Sequence, residues 1–481
     1  MAGVGIKLNR IFQKKSIMAS FVGFAYSLVV TVVPVLLVIG NILLTGWVLG
    51  FGGESYMRRE LFSCTVLYIF IFALLSVSPL NAVLSKYVQD TIYEERFENI
   101  LPCYHLGLGI NMVLACGMGI PFCLWEHFVG GVEVFVVFVG YCGYIAMTLV
   151  FYSMVYLFIC KDYERVSIFF LIGMLMAFLL SLLLHDIFGW GIMESMLFAL
   201  TVGIFLIAVL EYAAIKRYFP DDSNQYKPVL LYFKKWWKLV LTNFFYILGL
   251  YIHNFVFWGS DTRMVLADTF ICNQPYDMAS CIALFTNISA TIIFVSRIEM
   301  HFNEKYKLYS EAIIGGKKAD IENAKKRMFR QLSDELMNLV RLQFIISVVI
   351  YLLCMVLLPQ FGFGGLVMRI YPCLAAGYFI LFLMYAAILF LYYYNDLTGS
   401  MLTAGSFCLV TLIGSIFATH LSEIWYGIGV VLGAFIGWTI AYARLRWVER
   451  NLDVNVFCQG QIIKSEMEPR PSGIVYEKKS R

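Results

Sequence analysis

The chain has 481 residues, of which 60% are hydrophobic and 14% charged, with a mean hydropathy of +0.77 and a net charge of +4. A soluble domain is only about 45–50% apolar, so the composition excludes a soluble enzyme and points to a chain that crosses a membrane many times. The small basic excess suits anionic lipid headgroups rather than nucleic acid.

A basic arm precedes an apolar run from Met18 to Leu49. That run is far longer than the ~7–15 residues of a signal-peptide core, so it reads as a retained first transmembrane helix. Eleven further stretches approach the ~20 apolar residues that a span requires. They fall at 61–84, 101–125, 132–159, 166–184, 193–214, 239–258, 278–296, 342–359, 372–394, 400–419 and 424–443. The 36 lysines and arginines lie between the spans, 32 on one side and four (Arg58, Arg59, Arg263, Arg369) on the other. Basic loops stay in the cytoplasm, which predicts that both termini are cytoplasmic. The expected fold is therefore an all-α polytopic membrane protein of about twelve transmembrane helices in two six-helix bundles, 1–214 and 239–443. A cytoplasmic linker, 215–238, joins them, and a cytoplasmic tail, 444–481, follows.

Each half has a long cytoplasmic connection after its second helix, 85–100 and 297–341. Both open alike, with Ser85-Lys86-Tyr87 and Ser296-Arg297-Ile298. An even number of spans per half implies parallel repeats, and transporters commonly run their substrate path between such halves.

The first helix carries Ser20, Gly23, Ser27, Thr31, Pro34 and Asn41 within a sector of roughly 80°. In the seventh, Asn243, Tyr246, His253 and Asn254 share one face about 100° wide. Polar stripes of this kind face a protein interior or a water-filled cavity. Tight packing through small residues also accounts for the first. Ser27, Thr31, Asn41, Asn243, Tyr246, His253 and Asn254 are the candidates for a substrate path. His105 and His253 are either proton relays or hydrogen-bonded structural groups. Glu194 and Glu211 fall near span ends, where a carboxylate reaches water.

In 297–341, Gly315-Gly316 should separate two helices, the second capped by Asp320. Ile321, Ala324, Met328, Leu332, Leu336 and Leu339 then form an apolar stripe. Lys317, Lys318, Lys325, Lys326, Arg327 and Arg330 surround it. Such an amphipathic cytoplasmic segment either lies on the inner leaflet or docks a cytoplasmic partner. Gly429, Gly433, Gly437 and Ala441 make a small-residue ridge for close packing. Residues 451–481 lack apolar periodicity and read as a mobile tail. Aromatic clusters at span ends, such as Tyr392-Tyr393-Tyr394 and Trp425-Tyr426, fit an interfacial belt. No catalytic, phosphate-loop or metal motif stands in a credible context, so neither an enzyme nor a cofactor is expected. The twelve cysteines form no C-x-x-C pair, and Cys272 and Cys281 are not expected to bond.

The opening Met1-Ala2-Gly3-Val4-Gly5-Ile6-Lys7-Leu8 resembles the start of PelG proteins. The likeness continues at Pro275-Tyr276-Asp277-Met278-Ala279. It is strongest at Arg297-Ile298-Glu299, Phe302, Tyr306, Tyr309, Ala312-Ile313, Gly316, Ile321-Glu322, Ala324 and Met328, and it returns at Tyr394-Asn395-Asp396-Leu397. The resemblance implies the fold of the multidrug/oligosaccharidyl-lipid/polysaccharide flippase superfamily. It also implies transport of a Pel-like, N-acetylgalactosamine-rich polymer, with small membrane subunits and a cytoplasmic glycosyltransferase as partners. It supplies no catalytic residues. Spans without lysine or arginine suit an uncharged glycan better than a lipid pyrophosphate, which cations would bind, although helix N-termini also hold phosphate. A cation-coupled exporter of lipid-linked sugars or drugs on the same fold, and a scaffold anchoring a glycosyltransferase, are the alternatives.

Overall fold

A computed structural model describes residues 17–160, 162–293, 299–361 and 364–458. It describes side-chain surroundings for 33–160, 162–286, 302, 304–360 and 364–452. The arm 1–16, Ser296-Arg297-Ile298 and the tail from 459 lie outside these residues, as do the side chains of Ser20, Ser27 and Thr31.

The chain is helical almost throughout. The first half holds α1 (Ile17–Val48), α2 (Tyr56–Tyr93), α3 (Ile100–Phe128), α4 (Val134–Ile159), α5 (Tyr163–Leu182) and α6 (Ile192–Tyr218). A short amphipathic helix, α7 (Lys227–Lys235), lies in the linker. The second half holds α8 (Trp237–Trp258), α9 (Gln274–Ile293), α10 (Glu299–Gly315), α11 (Lys318–Leu357), α12 (Leu366–Tyr393), α13 (Leu397–Ala418) and α14 (Ile428–Cys458). A two-stranded hairpin, β1 (Met264–Val265) with β2 (Ile271–Cys272), connects α8 to α9. Among the described residues, ten helices are long and apolar enough to cross a membrane. With α1 and α9 they make the twelve-helix set. In apolar surroundings the backbone must satisfy its own hydrogen bonds, which is why spans of this composition are helical.

Packing repeats between the halves. In the first, α5 lies on α6, α4 on α6, α2 on α4 and α1 on α5, with α3 against α2 and α4. In the second, α13 lies on α14, α12 on α14, α9 on α12 and α8 on α13, with α11 against α9 and α12. Replacing α1–α6 by α8, α9 and α11–α14 in order converts one set of contacts into the other. The contacts between halves obey the same exchange, since α2 meets α8 and α9 meets α1.

Small residues make the tightest seam of each bundle. A Cβ on Gly433 would lie 3.0 Å from the Phe407 carbonyl oxygen and from the Thr411 nitrogen, so α14 approaches the α13 backbone directly. The equivalent seam in the first half brings Gly173 of α5 onto Gly203 of α6. Close approach through glycine is the usual way to associate helices where no hydrophobic difference from lipid drives them together.

Several local expectations need correction. First, the second helix of the 297–341 connection is not a separate surface helix. The chain does break after Gly315, but α11 then runs for 40 residues without interruption into the span, about 60 Å at 1.5 Å per residue. Second, its apolar stripe does not rest on lipid. Met328, Phe329, Leu332 and Leu339 are buried with Phe302, Phe390, Leu445 and Val448 of α10, α12 and α14. The N-cap is Lys317, whose backbone N–H donates to Asp320 at 3.1 Å, so Asp320 closes the first turn from inside the helix. Third, the segment after 443 does not begin a tail, because α14 stays helical to Cys458. Its Val448 and Leu452 are buried, which extends the apolar periodicity past the membrane span.

Candidate functional site

The seam between halves contains one of the sequence candidates. Pro79 in α2 has no N–H to give, which frees the Leu75 carbonyl oxygen. The Ser78 hydroxyl fills that vacancy at 2.9 Å. The Ser78 carbonyl oxygen in turn accepts from Asn243 Nδ2 of α8 at 2.5 Å. Asn243 is half-buried, and three turns further along α8 Phe255 stacks on Phe72 of α2 at 5.9 Å. A polar, partly accessible contact therefore joins the halves at mid-helix. Tyr246, one turn on, is half-buried, and its ring stacks on that of Tyr385 of α12 at 4.7 Å. Asn41 of α1 is half-buried and accepts from Thr45 at 3.5 Å.

His253 and Asn254 do not line a passage in this structure; both are enclosed in the second bundle. His253 is fully buried, with Nδ1 2.9 Å from the Tyr276 hydroxyl and Nε2 3.4 Å from that of Tyr378. Asn254 Nδ2 donates to Asp277 at 2.7 Å. Asp277, in the first turn of α9, also accepts from Trp258 Nε1 at 3.0 Å and from the Asn273 backbone N–H at 3.1 Å. Its carboxyl group holds α8, the hairpin and α9 together. The stripe on α8 is thus divided, with Asn243 toward the first bundle and His253 and Asn254 toward the interior of the second. Helical spacing shows a shared face but not which neighbour covers each turn of it.

Above this network the hairpin reaches across to the first bundle. Thr269 donates to Glu126 of α3 at 2.8 Å, and Gln274 donates to Glu60 of α2 at 2.9 Å. The Tyr68 hydroxyl donates to the Ile271 carbonyl oxygen, while its ring stacks on Trp258 at 4.8 Å. This clasp closes the seam at the end remote from the basic loops. Periodicity alone could not have found it, because Glu60 and Gln274 stand 214 positions apart.

At the opposite end, Lys317, Lys318, Lys326, Arg327 and Arg330 are exposed and Lys325 is half-buried. Lys325 and Lys326 line an open cleft of about 750 Å³ between α11 and α14, with Arg446 and Arg450 opposite and Glu322 and Glu449 at its edges. Tyr163 of the first bundle joins the apolar cluster beneath these helices.

The two span-end acids differ. Glu194 pairs with Arg58 at 2.7 Å. Glu211 does not reach water, since it is wholly buried and neither carboxyl oxygen has a hydrogen-bond partner. Helix α6 continues for seven residues beyond Glu211 to Tyr218, so a position that apolar length alone places at an edge lies well inside the helix. Cys272 and Cys281 are both free thiols. No cluster of three or more His, Cys, Asp or Glu side chains is placed to hold a metal among the described residues.

A family profile described as "Putative exopolysaccharide Exporter (EPS-E)", PelG, matches residues 1–457. The chain belongs to the PelG family. No individually curated protein matches it. Solved structures give the fold. An inward-facing multidrug-resistance MATE family transporter of the MOP superfamily aligns with TM-score 0.59 at 11% identity, covering 87% of this chain and 96% of that one. A MATE transporter in the bent conformation aligns with TM-score 0.55 at 13% identity over 88% and 94%. A MOP superfamily transporter from Pyrococcus furiosus Vc1, whose structure is described by the reversed polarity of its binding pocket, aligns with TM-score 0.53 at 14% identity over 88% and 96%. This PelG family member is a multi-pass membrane protein with the MATE transporter fold, from a family of exopolysaccharide exporters.

Proposed function

We propose that the chain carries a nascent, Pel-like exopolysaccharide rich in N-acetylgalactosamine across a bacterial cytoplasmic membrane. The polymer passes between bundles formed by 1–214 and 239–443. The observation that carries this reading is the family match over nearly the whole chain, on a fold whose halves meet along α2–α8 and α1–α9. The 32-to-4 distribution of basic residues supports cytoplasmic termini. Polymer enters near 85–100 and the α10–α11 elbow, beside a basic surface formed by Lys317, Lys318, Lys325, Lys326, Arg327 and Arg330. A cytoplasmic glycosyltransferase docks on that surface, and small membrane subunits complete the assembly. Asn243, with Ser27, Thr31, Asn41 and Tyr246, lines the path, and neutral polar and aromatic groups there suit an uncharged sugar chain.

Cysteine placed at Asn243, Thr31 or Tyr246 tests the reading. In the assembled complex, a water-soluble thiol reagent mapped by mass spectrometry should modify these positions, and polymer synthesis should protect them. Positions that stay sealed under both conditions refute a conduit at this seam. Normal polymer secretion by Asn243→Leu and Tyr246→Leu variants would favour the scaffold alternative.

A further inference from the structure

Apolar length alone leaves Arg341 just outside the ninth span. Its neighbours in space place it deeper. Phe329 stacks on Tyr394 at 5.4 Å, the Phe344 ring lies 6.0 Å from that of Phe379, and Tyr351 stacks on Tyr371 at 5.7 Å. Fifteen residues of α11, from Phe329 to Phe344, thus answer fifteen of α12, from Tyr394 back to Phe379, and the two helices run antiparallel in a steady register. Arg341, twelve residues beyond Phe329, stands level with Phe382. From Ile370 to Tyr394 α12 has no charged or carboxamide side chain. Ion pairs mark both ends of that run, Arg369 with Glu423 at 3.0 Å and Asp396 with Arg444 at 2.8 Å. The run is about 36 Å long at 1.5 Å per residue, enough for the ~30 Å of hydrocarbon, and Phe382 is its midpoint.

Arg341 is therefore held near mid-bilayer. Asn338 and Asp334 lie on the same side of α11, nearer the cytoplasm. All three are exposed, and none makes a hydrogen bond or ion pair among the described residues. The same face continues outward through Ile345, Val348 and Leu352, which are exposed as lipid-facing side chains are. The main contacts of α11 are within its own bundle, on α9, α10 and α12. Arg341 lies about 18 Å from the level of Tyr394 at 1.5 Å per residue, too deep for its guanidinium to reach headgroups as one near a helix end does. Ionisable groups at such depth pair with other polar groups rather than meet lipid. Helix α3 fills the equivalent place in the first bundle without such a stripe: Glu126 is its only Asp, Glu, Lys or Arg, and it is buried near the outer end.

We propose that this face of α11 is the docking site for a transmembrane helix of a different protein. That helix sets a carboxylate or carboxamide against Arg341, and a cationic or hydroxyl donor against Asp334 about 10 Å nearer the cytoplasm. A second copy of this chain does not fit. Two copies inserted alike are related by an axis along the membrane normal, which sets Arg341 against Arg341 and Asp334 against Asp334. The proposal gives the membrane-subunit part of the reading above a surface, and it stands whatever the cargo.

A photoactivatable benzophenone amino acid at Asn338 of the full chain, illuminated in cells, tests this. It should give one adduct with a different membrane protein, joined within a transmembrane helix, and the same group at Val113 of α3 should give none. Adduct yield should fall about tenfold or more in Arg341→Asp at normal membrane abundance. The yield should return when the carboxylate or carboxamide of the captured helix at that depth is changed to Arg. An adduct with a second copy of this chain, adducts with lipid alone, or a captured helix with only apolar residues at the depth of Arg341 overturns the proposal. If Arg341→Asp does not accumulate, Arg341→Leu combined with Asp334→Leu replaces it, and an unchanged yield overturns the proposal. Cross-linking reads association rather than export, so these failures leave polymer transport standing. A normal adduct with Asn243 sealed at the seam counts against the transport reading alone.

Discussion

Replacing Asp277 by Leu should cost about 3–6 kcal/mol of stability. The side chain is buried and accepts from Asn254 Nδ2, Trp258 Nε1 and the Asn273 N–H at 2.7, 3.0 and 3.1 Å. Each buried donor left unsatisfied costs about 1–3 kcal/mol. The three share one partner and therefore do not add fully, which sets the upper figure below the simple sum. Asp277→Asn keeps the volume and one acceptor, so it serves two donors and places its NH2 against the third, for a loss of about 1–3 kcal/mol. Thermal unfolding of the detergent-solubilised chain, followed by monodispersity after heating, should rank wild type above D277N and D277L last. Limited proteolysis should show the α8–α9 hairpin cut first in D277L. Equal stability of D277L and wild type would refute the assignment of Asp277 as the tie between α8 and α9.

Gly433→Leu should destabilise by about 1–3 kcal/mol or more, because the new side chain meets α13 backbone that cannot swing aside. Gly40→Ala, where nothing lies within 4 Å, should be neutral or stabilising by up to about 1 kcal/mol in the same assay. Cysteines at Glu60 and Gln274 should be joined by a cleavable bifunctional thiol reagent long enough to replace the two side chains that now meet; secretion should then stop and return on cleavage of the reagent, and unimpaired secretion by the cross-linked form would show that the clasp need not open. Glutamates at Lys317, Lys318, Lys325 and Lys326 should abolish co-purification of a cytoplasmic partner and reduce secretion without lowering membrane abundance, and undiminished co-purification would place docking elsewhere.

Much of the fold was legible in the chain. Apolar length marks the spans, and the placement of Gly315-Gly316 marks the elbow, because both are local properties of the backbone and its solvent. The ridge Gly429, Gly433 and Gly437 was legible for the same reason. Asn243 stood out as a polar group in an apolar helix and does sit at the seam. His253 and Asn254 carried the same signal yet are enclosed, since their partners Tyr276, Asp277 and Tyr378 come from two other helices. The basic segment after Gly316 resembled a surface helix because its amphipathic pattern is the same whether lipid or protein covers it. Only the return of α10 and the extension of α14 show that protein does.

The amino-acid sequence by itself determined how many times the chain enters an apolar phase and where its positive charge collects, because insertion responds to hydropathy and charge segment by segment. The tertiary structure alone decided which polar groups became partners. It paired Asn243 with Ser78, gathered three donors around Asp277, brought Thr269 and Gln274 across to Glu126 and Glu60, and left Glu211 buried without one. Those outcomes depend on which helix faces lie against each other, a long-range property that no single helix encodes.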